Sequence, residues 1–263
     1  MTVSVVLGQV PIAWDVDENL ATMQSVLDLA NPQDIVALPE GVISGYDDQL
    51  SGLAVLKPEV VEAAKDTVSQ MVRERNLHLF CGTLMFESGD WSNALLYFSP
   101  DGVRLEYRKV NLATHERSVL VAGSHLPIFN LEVGAKKLTV SPQLCRELRF
   151  PDQWHYPARE GAQLFVYLSC GANPRESLDV WRSHLISRAA ETQRYVIAVN
   201  VARTARNSPT MIVAPSGEVI AEASNSELTI IRAELDMELV SDWYIRQQRR
   251  DVIEITKRFS NDV

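Results

Sequence analysis

The chain has 263 residues, enough for one large domain with a sizeable core. Hydrophobic residues make up 46% and charged residues 22%, the balance of an ordinary globular protein. The formal charge of −9 argues against nucleic acid as a partner, because that affinity rests on Lys and Arg neutralising phosphates. No apolar run is long enough to span a bilayer, so no membrane partner is expected.

The first residues, Met1 to Gly8, read as a strand and not as the basic leader of a secretory signal. Asp17 to Ala30 carries Leu20, Met23, Val26, Leu27 and Ala30 at helical spacing. Asp34 to Leu38 is a short buried strand ending at Pro39-Glu40. A second helix starts near Pro58 and runs towards Asn76, with Val61, Ala64, Val68, Met71 and Val72 on one face. His78 to Phe86 and Asn93 to Phe98 form neighbouring strands, and Pro100-Asp101-Gly102 turns the chain into Arg104 to Tyr107.

The same grammar recurs in the second half. Lys137 to Ser141 is strand-like and leads to Cys145, just ahead of a helix. Gln163 to Leu168 reads as a strand, Ser177 to Thr192 as a helix and Tyr195 to Val201 as a strand. Met211 to Val213 and Glu218 to Ile220 flank the turn Pro215-Ser216-Gly217, and Leu228 to Ala233 adds a further strand. The charged tail from Asp242 is helical in part. No linker or low-complexity tract divides the chain, so residues 1–263 are expected to form one domain of a layered α/β fold.

Four ionisable residues sit where such folds place chemistry. Cys145, in Leu144-Cys145-Arg146-Glu147-Leu148-Arg149-Phe150-Pro151-Asp152, leaves a strand among charged neighbours that can hold a thiolate. Glu40 ends an apolar strand, Lys109 follows a β-like segment, and Glu116 lies in Thr114-His115-Glu116-Arg117. Taken singly, each also reads blandly: a packed cysteine, a loop glutamate, a solvated lysine. Cys81 and Cys170 read as small packed residues; the three cysteines form no disulfide framework and fit a reducing, cytoplasmic setting. Five histidines without clustered spacing predict no metal, and P-loop, Gly-x-Gly-x-x-Gly and Gly-x-Ser-x-Gly motifs are absent, so no cofactor is expected.

Taken in order, Leu38-Pro39-Glu40, Tyr107-Arg108-Lys109-Val110-Asn111-Leu112 and the Cys145 block resemble the nitrilase superfamily of carbon–nitrogen hydrolases. Secondary landmarks agree: Gly8-Gln9, Gly45-Tyr46, the run from Trp181 to Gln193, Asn200, and Pro215-Ser216-Gly217-Glu218. The resemblance implies a four-layer α-β-β-α sandwich. It also implies assembly into homodimers or larger homo-oligomers, with the tail from about Asp242 against a partner subunit. Carried over residue by residue, Cys145 becomes the nucleophile and Glu40 the general base. Lys109 and the backbone N–H of Arg146 become the oxyanion donors, and Glu116 positions substrate or handles protons.

The expected activity is hydrolysis of a small linear amide through a thioester on Cys145, releasing ammonia or an amine and a carboxylic acid. An N-carbamoyl amine or amino-acid substrate is the near alternative, ahead of a nitrile. A non-catalytic binding member of the family is the alternative of a different class. Around the substrate, Arg146, Tyr46, Arg149 and Asn173 are the candidate contacts, with a salt bridge from Arg149 to Asp152, Glu147 or another carboxylate as its competing role. Ser141-Pro142-Gln143 replaces the small glycine common before the cysteine in this family, and Arg146-Glu147 stands where true nitrilases carry Trp-Glu. The former is expected to reshape the pocket wall.

Overall fold

The computed structural model describes residues 2–171, 176–204, 208–223 and 225–249. In chain order the elements are β1 (Thr2–Gln9), α1 (Val16–Leu27), β2 (Ile35–Ala37), α2 (Pro58–Arg75), β3 (His78–Glu87), β4 (Asp90–Phe98), β5 (Arg104–Arg108), β6 (Phe129–Val133) and β7 (Lys136–Leu144). A 3-10 turn over Cys145–Arg149 follows, then α3 (Asp152–Arg159), β8 (Leu164–Leu168), α4 (Leu178–Thr192), β9 (Tyr195–Val199), β10 (Met211–Val213), β11 (Val219–Glu222), β12 (Thr229–Asp236) and α5 (Trp243–Gln247).

The strands form two six-stranded mixed sheets, ordered β12-β1-β2-β3-β4-β5 and β11-β10-β9-β8-β7-β6. β1, β2 and β3 run parallel in the first, and β7, β8 and β9 run parallel in the second. These central parallel strands are apolar on both faces because both faces are covered: all five residues of β8 and of β9 are buried. Val5, Leu7, Phe80 and Leu95 of the first sheet meet Val140, Leu144, Val166 and Ile197 of the second in the central core. The alternate residues point outwards. Val6, Val36 and Leu38 pack under α1 and α2 with Met23, Val26, Val68 and Val72. Phe165, Tyr167 and Val196 pack under α3 and α4 with Trp154, Trp181 and Leu185. The result is the expected α-β-β-α sandwich, and each of these buried side chains contributes roughly 1.5–3 kcal/mol.

Local chemistry sets the boundaries. The Asp15 carboxylate accepts from the N–H groups of Asp17 and Glu18 and caps α1. α2 begins on Pro58 and ends at Asn76, whose φ of 54° closes the helix in the left-handed region. Two details differ from the sequence reading. β6 was not foreseen; it alternates buried and exposed residues and pairs antiparallel with β7. The helix expected directly after Cys145 is a 3-10 turn, with α3 starting only at Asp152. Because β6 begins opposite Val140, residues 141–144 pair only with β8. That leaves one side of β7 without a ladder partner, a setting in which a proline such as Pro142 is accommodated.

Candidate active site

The connectivity delivers distant residues to one end of the sandwich. The carboxyl ends of the parallel strands β2, β7, β8 and β9 carry the segments at Glu40, Cys145, Cys170 and Asn200, and Gly82 lies on β3 just past its parallel pairing with β2. β4 runs antiparallel to β3, so its start, near Asn93, arrives at the same end, as does the end of β5 at Lys109. Such strand ends are where open α/β sheets place their sites.

Glu40, Lys109 and Glu116 are all fully buried, and the structure brings them together. Lys109 Nζ lies 2.9 Å from Glu40 Oε1 and 3.0 Å from the Glu116 carboxylate. Buried charges persist only when paired and hydrogen-bonded, and here each is. Asn93 Nδ2 donates to Glu40 Oε1 at 2.7 Å and to Glu116 Oε1 at 2.6 Å. Tyr46 Oη donates to Glu116 Oε1 at 2.7 Å, and the Ala113 N–H donates to Glu116 Oε2 at 2.5 Å. The other Glu40 oxygen accepts the backbone N–H of Cys170 at 2.8 Å. Glu40 can fold this close only because β3 carries Gly82: a Cβ there would lie 2.4 Å from the Glu40 Cα.

The electrostatics follow from this packing. Burial pushes the Lys109 ammonium down, but the charges of Glu40 and Glu116 outweigh it and hold it above its ordinary value. Burial likewise raises Glu116, and Lys109 with the hydrogen bonds from Asn93 and Tyr46 brings it below the usual range. Tyr46 is held high by burial and by both glutamates.

Cys145 is half-buried at the exit of β7 with φ of 42°, a left-handed conformation that costs a non-glycine residue about 1–3 kcal/mol. Burial first, then the charge of Glu40, push its thiol well above the ordinary value, while Lys109 and Arg146 act in the opposite sense. A thiol held in this direction calls for a neighbouring base to accept its proton. Its carbonyl accepts from Tyr167 Oη at 3.0 Å.

The remaining predicted contacts separate. Tyr46 joins the buried cluster. Arg146 is half-buried, pairs with Glu176 at 2.9 Å and lies over the Trp181 ring at 5.6 Å. Arg149 is exposed, and among the described residues it pairs with neither Asp152 nor Glu147. Asn173 lies outside the described residues. Gln143 is fully buried, and its amide nitrogen reaches Ser141 Oγ at 3.4 Å and the Gln153 carbonyl at 3.1 Å at the start of α3. Cys170 is packed, and burial pushes its thiol upwards. Among the described residues no group of three or more His, Cys, Asp and Glu could hold a metal ion. None of their helices is long and apolar enough to cross a membrane.

Sequence reasoning missed three participants. Asn93 bridges both glutamates, the Cys170 backbone aims Glu40, and Glu147 binds the segments together. The fully buried Glu147 accepts Tyr107 Oη and the Val110 and Asn111 N–H groups on Oε1 and the Leu144 N–H on Oε2. The chain distances are 23 residues or more for all but the last, beyond any local signal; only the short Leu144-to-Glu147 spacing was readable.

A sequence model of the carbon–nitrogen hydrolase family matches residues 4–245. The chain is 30% identical over 213 residues to 2-oxoglutaramate amidase of Bacillus subtilis (strain 168), covering 78% of this chain and 79% of that one. It is also 30% identical over 240 residues to omega-amidase NIT2 of Xenopus tropicalis, covering 82% and 83%. Among solved structures, an amidase from Nesterenkonia sp. superposes with a TM-score of 0.80 at 22% identity, covering 94% of this chain and 93% of its own. The sandwich is therefore that of the nitrilase superfamily, and the chain belongs to the carbon–nitrogen hydrolase family.

Proposed function

We propose that this enzyme hydrolyses the C–N bond of a small linear amide through a thioester on Cys145. The observation that carries the reading is the buried Glu40–Lys109–Glu116 cluster, whose charges act on a half-buried cysteine in the left-handed region. The two relatives at 30% identity bear amidase names, which supports an amide over a nitrile.

In the first half-reaction, Glu40 takes the Cys145 proton as the sulfur attacks the amide carbonyl. Negative charge develops on the carbonyl oxygen, where the Lys109 ammonium and the Arg146 N–H stabilise it in a low-dielectric site. Glu40 returns the proton to the departing nitrogen, and the C–N bond breaks to leave the thioester. Water then attacks that carbonyl, giving its proton to Glu40, and the collapse releases the acid and restores the thiol. Glu116, hydrogen-bonded to Tyr46 and Asn93, holds Lys109 together with Glu40 and positions substrate. A homo-oligomer with the tail from about Asp242 on the partner subunit belongs to the same reading, as does a cytoplasmic setting.

The test is ammonia release across a panel of aliphatic amides, ω-amides and N-carbamoyl compounds, with carbon dioxide measured alongside. An amide substrate gives ammonia alone and an acyl adduct on Cys145 by intact-protein mass spectrometry. Carbon dioxide released together with ammonia points to the carbamoyl alternative. Undiminished hydrolysis by Cys145→Ala overturns the assignment, and no turnover or adduct across the panel favours a binding role.

A further inference from the structure

Tyr167 lies on β8, the strand paired parallel with the one that delivers the cysteine, at the position opposite Gln143. Its ring is fully buried and packs against Trp154 with centroids 6.0 Å apart. A buried tyrosine hydroxyl needs a partner, and many carbonyls could supply one. This hydroxyl donates at 3.0 Å to the carbonyl of Cys145 itself. That carbonyl belongs to the same planar unit as the Arg146 N–H. In a trans peptide the two groups point in opposite directions, so holding one fixes the aim of the other. The unit follows a residue at φ of 42°, which needs surrounding structure to hold it there.

We infer that Tyr167 is a positioning residue that aims and polarises the Arg146 N–H as an oxyanion donor by binding the carbonyl of the Cys145–Arg146 peptide. This inference rests on the proposed roles of Cys145 and of that N–H. The hydroxyl donates to the Cys145 carbonyl, so its action runs through the peptide unit. Its hydrogen bond draws electron density onto the carbonyl oxygen, which strengthens the N–H on the other end of the unit as a donor. The effect falls on the step in which the carbonyl oxygen gains charge, not on the binding of the neutral amide.

Tyr167→Phe keeps the ring against Trp154 and removes only the donor. With the best amide of the ammonia-release panel, kcat is expected to fall roughly tenfold to a hundredfold, less than outright loss of an oxyanion donor, with KM nearly unchanged. Alkylation of Cys145 by iodoacetamide, a displacement at a saturated carbon that develops no oxyanion, should keep its wild-type rate. An unchanged kcat overturns the inference. So does an alkylation rate that drops by the same factor as kcat, because the phenol would then be placing the thiol. If Tyr167→Phe does not fold, 3-fluorotyrosine at position 167 keeps the ring and strengthens the donor. It must then hold kcat at or above wild type, and a fall overturns the inference. Ammonia release by Cys145→Ala would remove the underlying functional reading, whereas an inactive Cys145→Ala with an unimpaired Tyr167→Phe removes this inference alone.

Discussion

Glu147 Oε1 accepts the backbone N–H of Val110 at 2.8 Å, across 37 residues of chain and across the gap between the two sheets. Its second oxygen accepts the Leu144 N–H, directly before the cysteine. One buried carboxylate thus ties the segment that follows Lys109 to the segment that presents Cys145. Burial pushes Glu147 upwards, while its hydrogen bonds from Tyr107 and the backbone pull it down.

Glu147→Gln should therefore damage both stability and rate. An amide nitrogen in place of either oxygen faces an N–H or O–H donor and leaves it unpaired. The loss is expected to be about 1–3 kcal/mol for each buried group left unsatisfied, read from urea denaturation, together with a fall in kcat. Wild-type stability in this variant would remove the tying role.

Lys109→Met leaves Glu40 and Glu116 buried with no cation between them. Activity should fall by roughly a hundredfold or more, and stability by about 3–5 kcal/mol at neutral pH. The pH dependence carries the sign. Lys109 helps hold Glu116 low against burial, so without it Glu116 takes up a proton more readily in the folded chain, and acidification stabilises this variant relative to wild type. The gap in Tm between the two proteins should narrow as the pH is lowered from 7 to 5. A gap that stays constant would count against the pairing as the source of the loss.

Asn93→Ala removes the donor shared by Glu40 and Glu116. Hydrogen bonds to charged groups are worth about 1.5–3 kcal/mol, so kcat/KM should drop by about tenfold or more. The Asn93 hydrogen bond is one reason that Glu116 lies below the usual carboxylate range. Without it, the Glu116 pKa rises, and the acid limb of the kcat/KM profile should move to higher pH. An unmoved limb would separate Glu116 from the catalytic ionisations.

His78 offers a test away from the site. It is fully buried at the start of β3, with Nδ1 2.7 Å from Tyr97 Oη and no partner for Nε2 among the described residues. Burial lowers its pKa from 6.5 to about 4, with the Asp101 charge opposing the shift. A depressed folded-state value means that the unfolded chain binds the proton first. Stability is then present above about pH 6.5 and lost as the pH falls towards 4, by roughly 3 kcal/mol. In His78→Gln the fall in Tm over that window should be shallower than in wild type. An equal slope would assign the acid sensitivity to other groups.

The sequence carried the site unevenly, and the reasons are physical. Glu40, Lys109 and Cys145 stand at strand ends within short motifs in a fixed order, so a linear reading finds them. Asn93 sits inside Trp91-Ser92-Asn93-Ala94, where nothing local distinguishes a bridging amide from any polar strand residue. The Cys170 contribution comes from its backbone, to which side-chain identity is silent. Glu147 was legible only as a neighbour of Arg146 and a possible mate for Arg149; three of its four donors lie 36 or more residues away. Among the elements, the apolar run Leu164–Leu168 announces a doubly covered strand, whereas β6, with only three of its five residues buried, does not.

Glu40, Asn93 and Lys109 belong to one sheet, while Cys145 and the Cys170 N–H belong to the other. The residues of the proposed mechanism are thus split along the plane of the sandwich, and neither half contains the full set. Under the proposed mechanism, a slip of the layers by a fraction of a side chain would part Cys145 from Glu40 while leaving every strand and helix in place. Turnover in this fold is accordingly a gauge of how the two sheets are seated on each other, more sensitive to that alignment than any measure of secondary structure.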